Sequence, residues 1–362
     1  MPSPSRAHCT RPCARRASPC APEPADVSEL QDDLFGEPAS PARRPRGVQP
    51  VPPTAHDEAL AAALSPHVHL GTSTWSYPGW QGLVWACRHS ESTLSRAGLP
   101  AYAAHPLLRA VGIDRGFYRP LAASEFQRHA EQVPAGFRFT VKAPSLVTDA
   151  LLRSEDGRGQ QPNPLFLDAA TAVSDFIDPA VEGLGATVGA LVFQLSPLPA
   201  QRLARMNEQF DRLHAMLLAL PRLPHGVLAV EVRDAAWLTP ELSALLRDAG
   251  ARYCVGLHPK LPPLHEQLPL LRALWPGPLV VRWNLNRLHG PFGYEAAEKR
   301  YGEFNALMDP DPDTRAALAR VIRGTAGAGQ DVFVTISNKA EGSAPLSVRA
   351  LAQAISDDAG GA

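Results

Sequence analysis

Glu231 and Arg233 lie two positions apart within the apolar run 227–233, which has the composition of a β-strand. In a strand, that spacing places both side chains on one face. A carboxylate and a guanidinium held side by side could transfer a proton and hold an anionic substrate. The same pair could equally belong to a structural salt-bridge network, and the sequence leaves both interpretations open.

Lysine is rare in this chain. Of 35 basic residues only four are lysines, namely Lys142, Lys260, Lys299 and Lys339. An ammonium is more compact than a guanidinium, and its pKa is easier to shift. Lys142 and Lys339 each follow an apolar run, so we predict that Lys142 transfers protons together with Glu231. In that case Glu231→Gln would abolish turnover and barely change the melting temperature. A structural ion pair between Lys142 and Glu231 is the alternative.

Polar or aromatic side chains also end most of the other apolar runs. We predict that these side chains bind the substrate. Arg233, Arg282 and Lys339 would hold an anion, helped by the start of the helix after Gly342. The rings of Trp75 and Tyr118 would form the wall of the pocket. The predicted binding residues are Arg233, Arg282, Lys339, Asn338, Gln194, Asp114, Trp75 and Tyr118.

Eight apolar, β-branched runs alternate with helical patterns. Several runs are apolar on both faces, which is typical of a parallel sheet covered by helices. Eight such units predict an α/β fold of the (β/α)8 TIM-barrel type, in which the carboxyl ends of all strands meet at one rim. An open doubly wound sheet is the alternative. The predicted strands are 68–75, 110–118, 138–143, 188–195, 227–233, 252–257, 279–284 and 332–338.

Residues 1–66 differ from the rest in being rich in proline, alanine, serine and arginine, with Phe35 as the only aromatic residue. We predict that they form a disordered extension and that 67–358 form the barrel. The extension could be a transit peptide, a docking tail with a short helix over 27–35, or a mis-assigned start. Cys9, Cys13 and Cys20 match no common zinc-binding spacing, so no metal site is predicted.

The net charge of −1 and the composition exclude several classes of protein. No apolar run approaches the twenty residues that a membrane-spanning helix needs, and we expect a cytoplasmic protein. A neutral chain argues against a general nucleic-acid coat. Phosphate-binding, hydrolase-elbow and dinucleotide-binding motifs are absent. The sequence indicates neither a cofactor nor an oligomeric state.

Several motifs in the same order resemble the YecE-like family, a domain of unknown function numbered 72. They are HLGTSTWSYPGW at 69–80, FYRP at 117–120, FRFTVK at 137–142, VFQLSP at 192–197, VEVR at 230–233 with Trp237, VRW at 281–283, and Asn338 and Lys339 with Gly342. The resemblance implies a TIM-type barrel and no established reaction. Where the family has an acid and a threonine on the second strand, this chain has Gly112 and Gly116, so no role is transferred there.

We therefore expect an enzyme that acts on a small phosphorylated or carboxylated substrate at the rim of the barrel, with the reaction class left open. A protein that binds an anion or a nucleic acid without catalysis is the main alternative. A metal-dependent hydrolase is a third interpretation, which the few histidines and carboxylates at the strand ends argue against.

Overall fold

Eight parallel strands close into a barrel in this computed structural model, which describes residues 47–153 and 159–357. Each strand pairs with the next along the chain, and the last pairs with the first. The TIM-type barrel is thereby confirmed and the open sheet is excluded. The strands are β1 (Val68–Thr72), β2 (Ala110–Ile113), β3 (Arg138–Lys142), β4 (Val188–Gln194), β5 (Val227–Glu231), β6 (Arg252–Leu257), β7 (Leu279–Trp283) and β8 (Val332–Ile336).

Strand alternation separates the interior of the barrel from its outer face. One set of alternate residues forms a buried apolar cluster, which includes Ala190, Ala229, Cys254, Val280 and Phe333. Continuing the same alternation toward the carboxyl ends of β4, β5 and β7 reaches polar residues in place of apolar ones. The interior of the barrel is thus apolar along most of the strands and polar at the rim formed by their carboxyl ends.

Helices cover the outside of the barrel and supply the large apolar core between helix and sheet. The longer helices include Ala123–Ala130, Met206–Ala219, Pro240–Asp248, Leu264–Ala273, Tyr294–Tyr301, Pro312–Gly327 and Ala344–Asp357. Shorter ones are Glu91–Ala97, Leu99–Ala103, Ser145–Thr148, Ala169–Ala172, Asp178–Leu184, Ala200–Leu203 and Asn338–Glu341. None of the helices in the described part of the chain is long and apolar enough to cross a membrane.

An antiparallel hairpin between Leu151–Arg153 and Gly159–Pro162 lies outside the barrel and was not predicted from the sequence. It interrupts the connection between β3 and β4. The second half of that connection contains Ala169–Ala172, a π turn over Val173–Ile177, and Asp178–Leu184.

The predicted disorder does not extend over residues 47–66. A helix at Ala55–Ala63 begins with a capping box, in which the Thr54 side chain accepts a hydrogen bond from the Asp57 backbone at 3.1 Å. The buried Asp57 carboxylate also accepts a hydrogen bond from Arg349 Nε, on the last helix, at 2.7 Å. These two contacts order the segment. The remaining predictions for the extension, including the 27–35 helix and the three N-terminal cysteines, lie outside the described residues.

Candidate functional site

A cleft of about 580 Å³ opens at the carboxyl ends of the barrel strands. Its walls come from segments that follow most of the eight strands. The lining includes Ser73, Thr74, Tyr77, Asp114, Phe117, Tyr118, Lys142, Gln194, Ser196, Arg233, His258, Lys260, Arg282, Asn284, Phe292, Tyr294 and Ser337. This is the rim at which the sequence predicted a pocket.

Another cavity, of about 560 Å³, lies between the helices Leu264–Ala273 and Pro312–Gly327. Its walls are mostly apolar, and they include Arg252 and Leu279, the first residues of β6 and β7. It therefore opens toward the opposite end of the strands. It contains none of the polar residues that gather at the rim.

The floor of the cleft is a buried ionic network around Glu231. The carboxylate is completely inaccessible to solvent. Its Oε2 accepts a hydrogen bond from Arg282 Nη1 at 2.7 Å, and its Oε1 accepts one from Asn284 Nδ2 at 3.1 Å. Arg233 Nη2 lies 2.8 Å from Oε1. Both oxygens are therefore occupied by protein partners.

Two neighbours complete this network. Gln194 lies beside Glu231 in the register of β4 and β5, and its Oε1 accepts hydrogen bonds from Arg233 at 2.8 Å and Arg282 at 3.0 Å. Asp114 accepts a further hydrogen bond from Arg282 Nη2 at 2.5 Å. Arg282 is buried and has a partner on each side, so it organises the network and has little capacity left for a ligand.

Charge keeps Glu231 ionised. Burial alone would raise its pKa, but Arg233 and Arg282 outweigh burial and hold the pKa below its usual range. A carboxylate with a low pKa and two occupied oxygens is poorly suited to exchange protons with a substrate. The geometry therefore favours a positioning role for Glu231 over the proton-transfer role predicted from the sequence.

Two glycines lie where a Cβ would crowd neighbouring atoms. Gly256 lies on β6, and a Cβ there would come within 3.3 Å of Glu231 Oε1. Gly112, on β2, faces the Ser73 carbonyl oxygen, which would be 2.5 Å from a Cβ. At Gly112 the backbone that follows β1 occupies the space that a side chain would need.

Lys142, at the end of β3, lines the same cleft. Among the described residues its ammonium forms no ion pair, and it lies 3.4 Å from the centre of the Phe117 ring. Burial lowers the pKa of Lys142 to about 8; the attraction of Asp114 opposes this shift, and Arg282 adds to it. The alternative interpretation, an ion pair between Lys142 and Glu231, does not hold, because Arg233 and Arg282 occupy that carboxylate.

His258, Lys260 and Tyr294 complete the cleft and were not among the predicted site residues. The His258 Nδ1 accepts a hydrogen bond from the Lys260 backbone at 3.1 Å, and the His258 and Tyr294 rings lie 5.5 Å apart. Burial and Arg233 lower the pKa of His258 to about 4, so the ring is neutral at pH 7 and carries its proton on Nε2. In the sequence, His258 and Lys260 directly follow β6 and Lys260 is one of the four lysines, whereas Tyr294 lies in the longer connection after β7.

Three predicted site residues lie elsewhere. Trp75 is buried, and its Nε1 donates to the Leu94 carbonyl at 3.1 Å. The Asn338 Oδ1 accepts from Trp80 Nε1 at 3.2 Å and from the Ala344 backbone at 2.8 Å, so it orders the turn after β8. Lys339 pairs with Glu298 at 2.9 Å. None of the three lines the cleft.

The cleft carries an excess of positive charge. Four basic side chains line it, namely Lys142, Arg233, Lys260 and Arg282. Asp114 and the underlying Glu231 are the carboxylates that pair with this group. The remaining positive charge favours a negatively charged ligand. Within 47–153 and 159–357, no three His, Cys, Asp or Glu side chains come together in an arrangement suited to a metal ion.

Comparison with known proteins gives a family and a fold. The family model described as "Protein of unknown function DUF72" matches residues 69–361. A solved structure of a DUF72 family protein from Enterococcus faecalis V583 is 17% identical with a TM-score of 0.51, over 80% of this chain and 95% of that one. Another, from Thermotoga maritima MSB8, is 20% identical with a TM-score of 0.47, over 78% and 96%. Among curated proteins no match is found.

Proposed function

The chain belongs to the DUF72 family, whose function is unknown, so we propose a function from the cleft itself. The protein is an enzyme that acts on a small carboxylated or phosphorylated substrate at the carboxyl end of the barrel. The observation that carries this proposal is a lysine with a lowered pKa in a cleft with excess positive charge. Perturbed titratable groups in clefts are frequent at catalytic sites.

The cleft residues fall into two roles. Arg233 and Lys260 contact the anionic group of the substrate, and the neutral His258 supplies an N–H donor. Lys142 transfers protons, because a pKa near 8 leaves both of its protonation states populated close to neutral pH. Glu231, Gln194, Asp114 and Arg282 hold these groups in place.

Calorimetric titration with oxalate and with inorganic phosphate tests the anion-binding part. We expect Arg233→Gln to weaken binding about tenfold, which corresponds to about 1.4 kcal/mol. Lys339→Gln is the matched control, since Lys339 is a cation at the same end of the barrel that does not line the cleft. Equal losses in the two variants, or no loss in Arg233→Gln, would contradict the proposal.

Turnover is tested by a screen of carboxylated and phosphorylated metabolites, ranked by the thermal stabilisation that they give the full chain. For any compound that is converted, Lys142→Met should abolish turnover and leave binding measurable. If Lys142→Met still turns over the compound at the wild-type rate, Lys142 takes no part in the reaction.

A second candidate function is non-catalytic binding of a single-stranded polynucleotide. Two aromatic rings at the mouth favour it, because Tyr118 is 84% exposed and Phe292 is 83% exposed. Exposed rings beside a basic groove stack on bases in proteins of that class. This candidate predicts retention of oligonucleotides that falls steeply with salt and is lost in Tyr118→Ala with Phe292→Ala. The enzyme proposal predicts no such retention.

A further inference from the structure

We propose that the substrate is a small carbonyl compound carrying an anionic group, and that its carbonyl carbon forms an imine with Nζ of Lys142. This inference rests on the proposed function, because it uses the same cleft and the same anion-holding side chains. It specifies the substrate class and gives Lys142 a covalent role in addition to proton transfer.

The position of the Lys142 nitrogen suits attack on a carbonyl group. Lys142 lines the cleft, and its ammonium lies against the face of Phe117 with no ion pair among the described residues. A lysine bound to a carboxylate would have to break that pair before attacking a carbonyl group. Lys142 has no such pair to break.

The protonation state of Lys142 favours the same reaction. Only the neutral amine attacks a carbonyl carbon, and burial lowers the pKa of Lys142 to about 8. About a tenth of the side chain is then neutral at pH 7, a fraction on the order of 300-fold larger than for a lysine at its ordinary value. The charged groups around Lys142 are Asp114 after β2, Glu231 and Arg233 at the end of β5, and Arg282 on β7.

The other lysines of the chain lack this combination of features. Lys339 is paired with Glu298, and Lys299 is exposed on the Tyr294–Tyr301 helix. Lys260 lies over the exposed Phe292 ring at the mouth, 4.4 Å from its centre. Of the four lysines, all of them described, Lys142 alone lies on a barrel strand, where it is half-buried in the cleft and has no paired carboxylate among the described residues.

The reaction balances without another reagent. The Nζ lone pair attacks the carbonyl carbon, and the π bond of the carbonyl becomes a lone pair on oxygen, which takes a proton. Loss of that hydroxyl as water, using the protons of the former amine and of solvent, leaves a carbon–nitrogen double bond. One carbonyl group and one primary amine give one imine and one water. Arg233 would hold the anionic group of the substrate close by.

Reductive trapping on the full-length chain tests this inference. The protein is incubated with glyoxylate and, separately, with glycolaldehyde phosphate, each with sodium cyanoborohydride, and the modified peptides are mapped by mass spectrometry. We expect the secondary amine at Lys142 to form at least tenfold faster than at Lys299 at pH 7. The ratio should fall as pH rises from 8 to 10.5, since ordinary lysine side chains then also become neutral. The more reactive probe shows whether the anionic group is a carboxylate or a phosphate.

Two controls separate folding from chemistry. Lys142→Arg should lose the cleft adduct, and Lys339→Arg should keep it. Because the wild-type peptide map locates the adduct by itself, the result stands even if the Lys142 variant folds poorly. Modification of Lys142 no faster than Lys299 overturns the imine.

Competition with oxalate, which has no electrophilic aldehyde or ketone, keeps the two proposals apart. Binding of oxalate without any Lys142 adduct overturns the imine and leaves the anion-binding function standing. An adduct that oxalate does not slow supports the imine and contradicts anion binding in this cleft. Absence of both results overturns both proposals.

Discussion

At the scale of single residues, the carboxylate of Glu231 determines how the polar floor of the cleft is held together. It is buried and pairs with two arginines, Arg233 and Arg282, which are also buried. Removing its charge takes a buried counter-charge away from both guanidinium groups in a medium that solvates them poorly, and leaves Asp114 as the carboxylate paired with Arg282. The same change leaves an amide N–H₂ facing the arginine donors.

Glu231→Gln is therefore expected to lower the free energy of unfolding by about 3–5 kcal/mol, because breaking a buried ion pair strands its partners. Denaturant unfolding measures this loss. Glu298→Gln, which breaks the more exposed pair with Lys339, is the control and should change stability by less than about 1 kcal/mol. The sequence alone predicted an almost unchanged melting temperature, and stability close to wild type would favour that view.

Residue types were easier to predict than side-chain directions. Gln194, Glu231, Arg233 and Arg282 share the inward parity of their strands, so alternation was enough to place them together. Lys339 follows its strand within a short helix, where period-2 alternation no longer applies. Its pairing with Glu298 depends on how the Tyr294–Tyr301 helix packs, which sequence spacing does not encode.

At the scale of elements, the strands were predicted in the right places but too long. The run 110–118 contains only Ala110–Ile113 as strand, since Asp114 adopts helical backbone angles and Arg115–Phe117 form a 3-10 turn. The polar ends that identified the rim belong largely to the turns that follow the strands. Apolar composition marks where a strand begins better than where pairing stops.

The Ala55–Ala63 helix was missed because its stabilising partner is distant in sequence. It is short, and isolated helices of that length are marginal in water. Its capping box and the pair between Asp57 and Arg349 tie it to the last helix. Only the folded barrel brings Arg349 into reach.

Asp57→Ala is expected to reduce the free energy of unfolding by about 2 kcal/mol, because it removes a helix cap and strands a charge-assisted hydrogen bond. Glu58→Ala changes the neighbouring exposed acid and serves as the control. Chemical denaturation followed by circular dichroism compares the two. Equal effects would show that Asp57 does not hold the segment to the barrel.

At the scale of the whole molecule, buried neutral histidines make the fold sensitive to acid. Burial is the main cause that lowers the pKa values of His69, His129 and His258 to about 4. In the unfolded chain they titrate near 6.5, so between pH 6.5 and 4 the unfolded state binds more protons. Stability contributed by their neutral forms is present above pH 6.5 and is lost as pH falls toward 4.

Between pH 7 and pH 5 each of these histidines should remove about 2 kcal/mol from the free energy of unfolding. Denaturant unfolding at the two pH values measures the total. His69→Phe, which keeps a ring stacked on Phe333, should make the loss of unfolding free energy between the two pH values smaller by about 2 kcal/mol. A free energy of unfolding that stays constant from pH 7 to pH 5 would contradict the lowered pKa values of these three histidines.

Closure of the barrel is the feature of the whole molecule that the sequence predicted best. Eight strand–helix units suffice for it, because parallel strands covered by helices on one side roll into this architecture. The hairpin at Leu151–Arg153 and Gly159–Pro162 carries no such repeat signal. It is an insertion between two units, and its strands, of three and four residues, are too short to stand out from a loop.

The central claim is that the converged strand ends form a single anion-binding cleft. Crystals soaked with selenate test it most directly, since selenium locates the anion by anomalous scattering. We expect the strongest peak in the cleft, within hydrogen-bonding distance of Arg233, Lys142 or Lys260. A strongest peak elsewhere, for example beside Lys339 or on the outer helices, would contradict the claim.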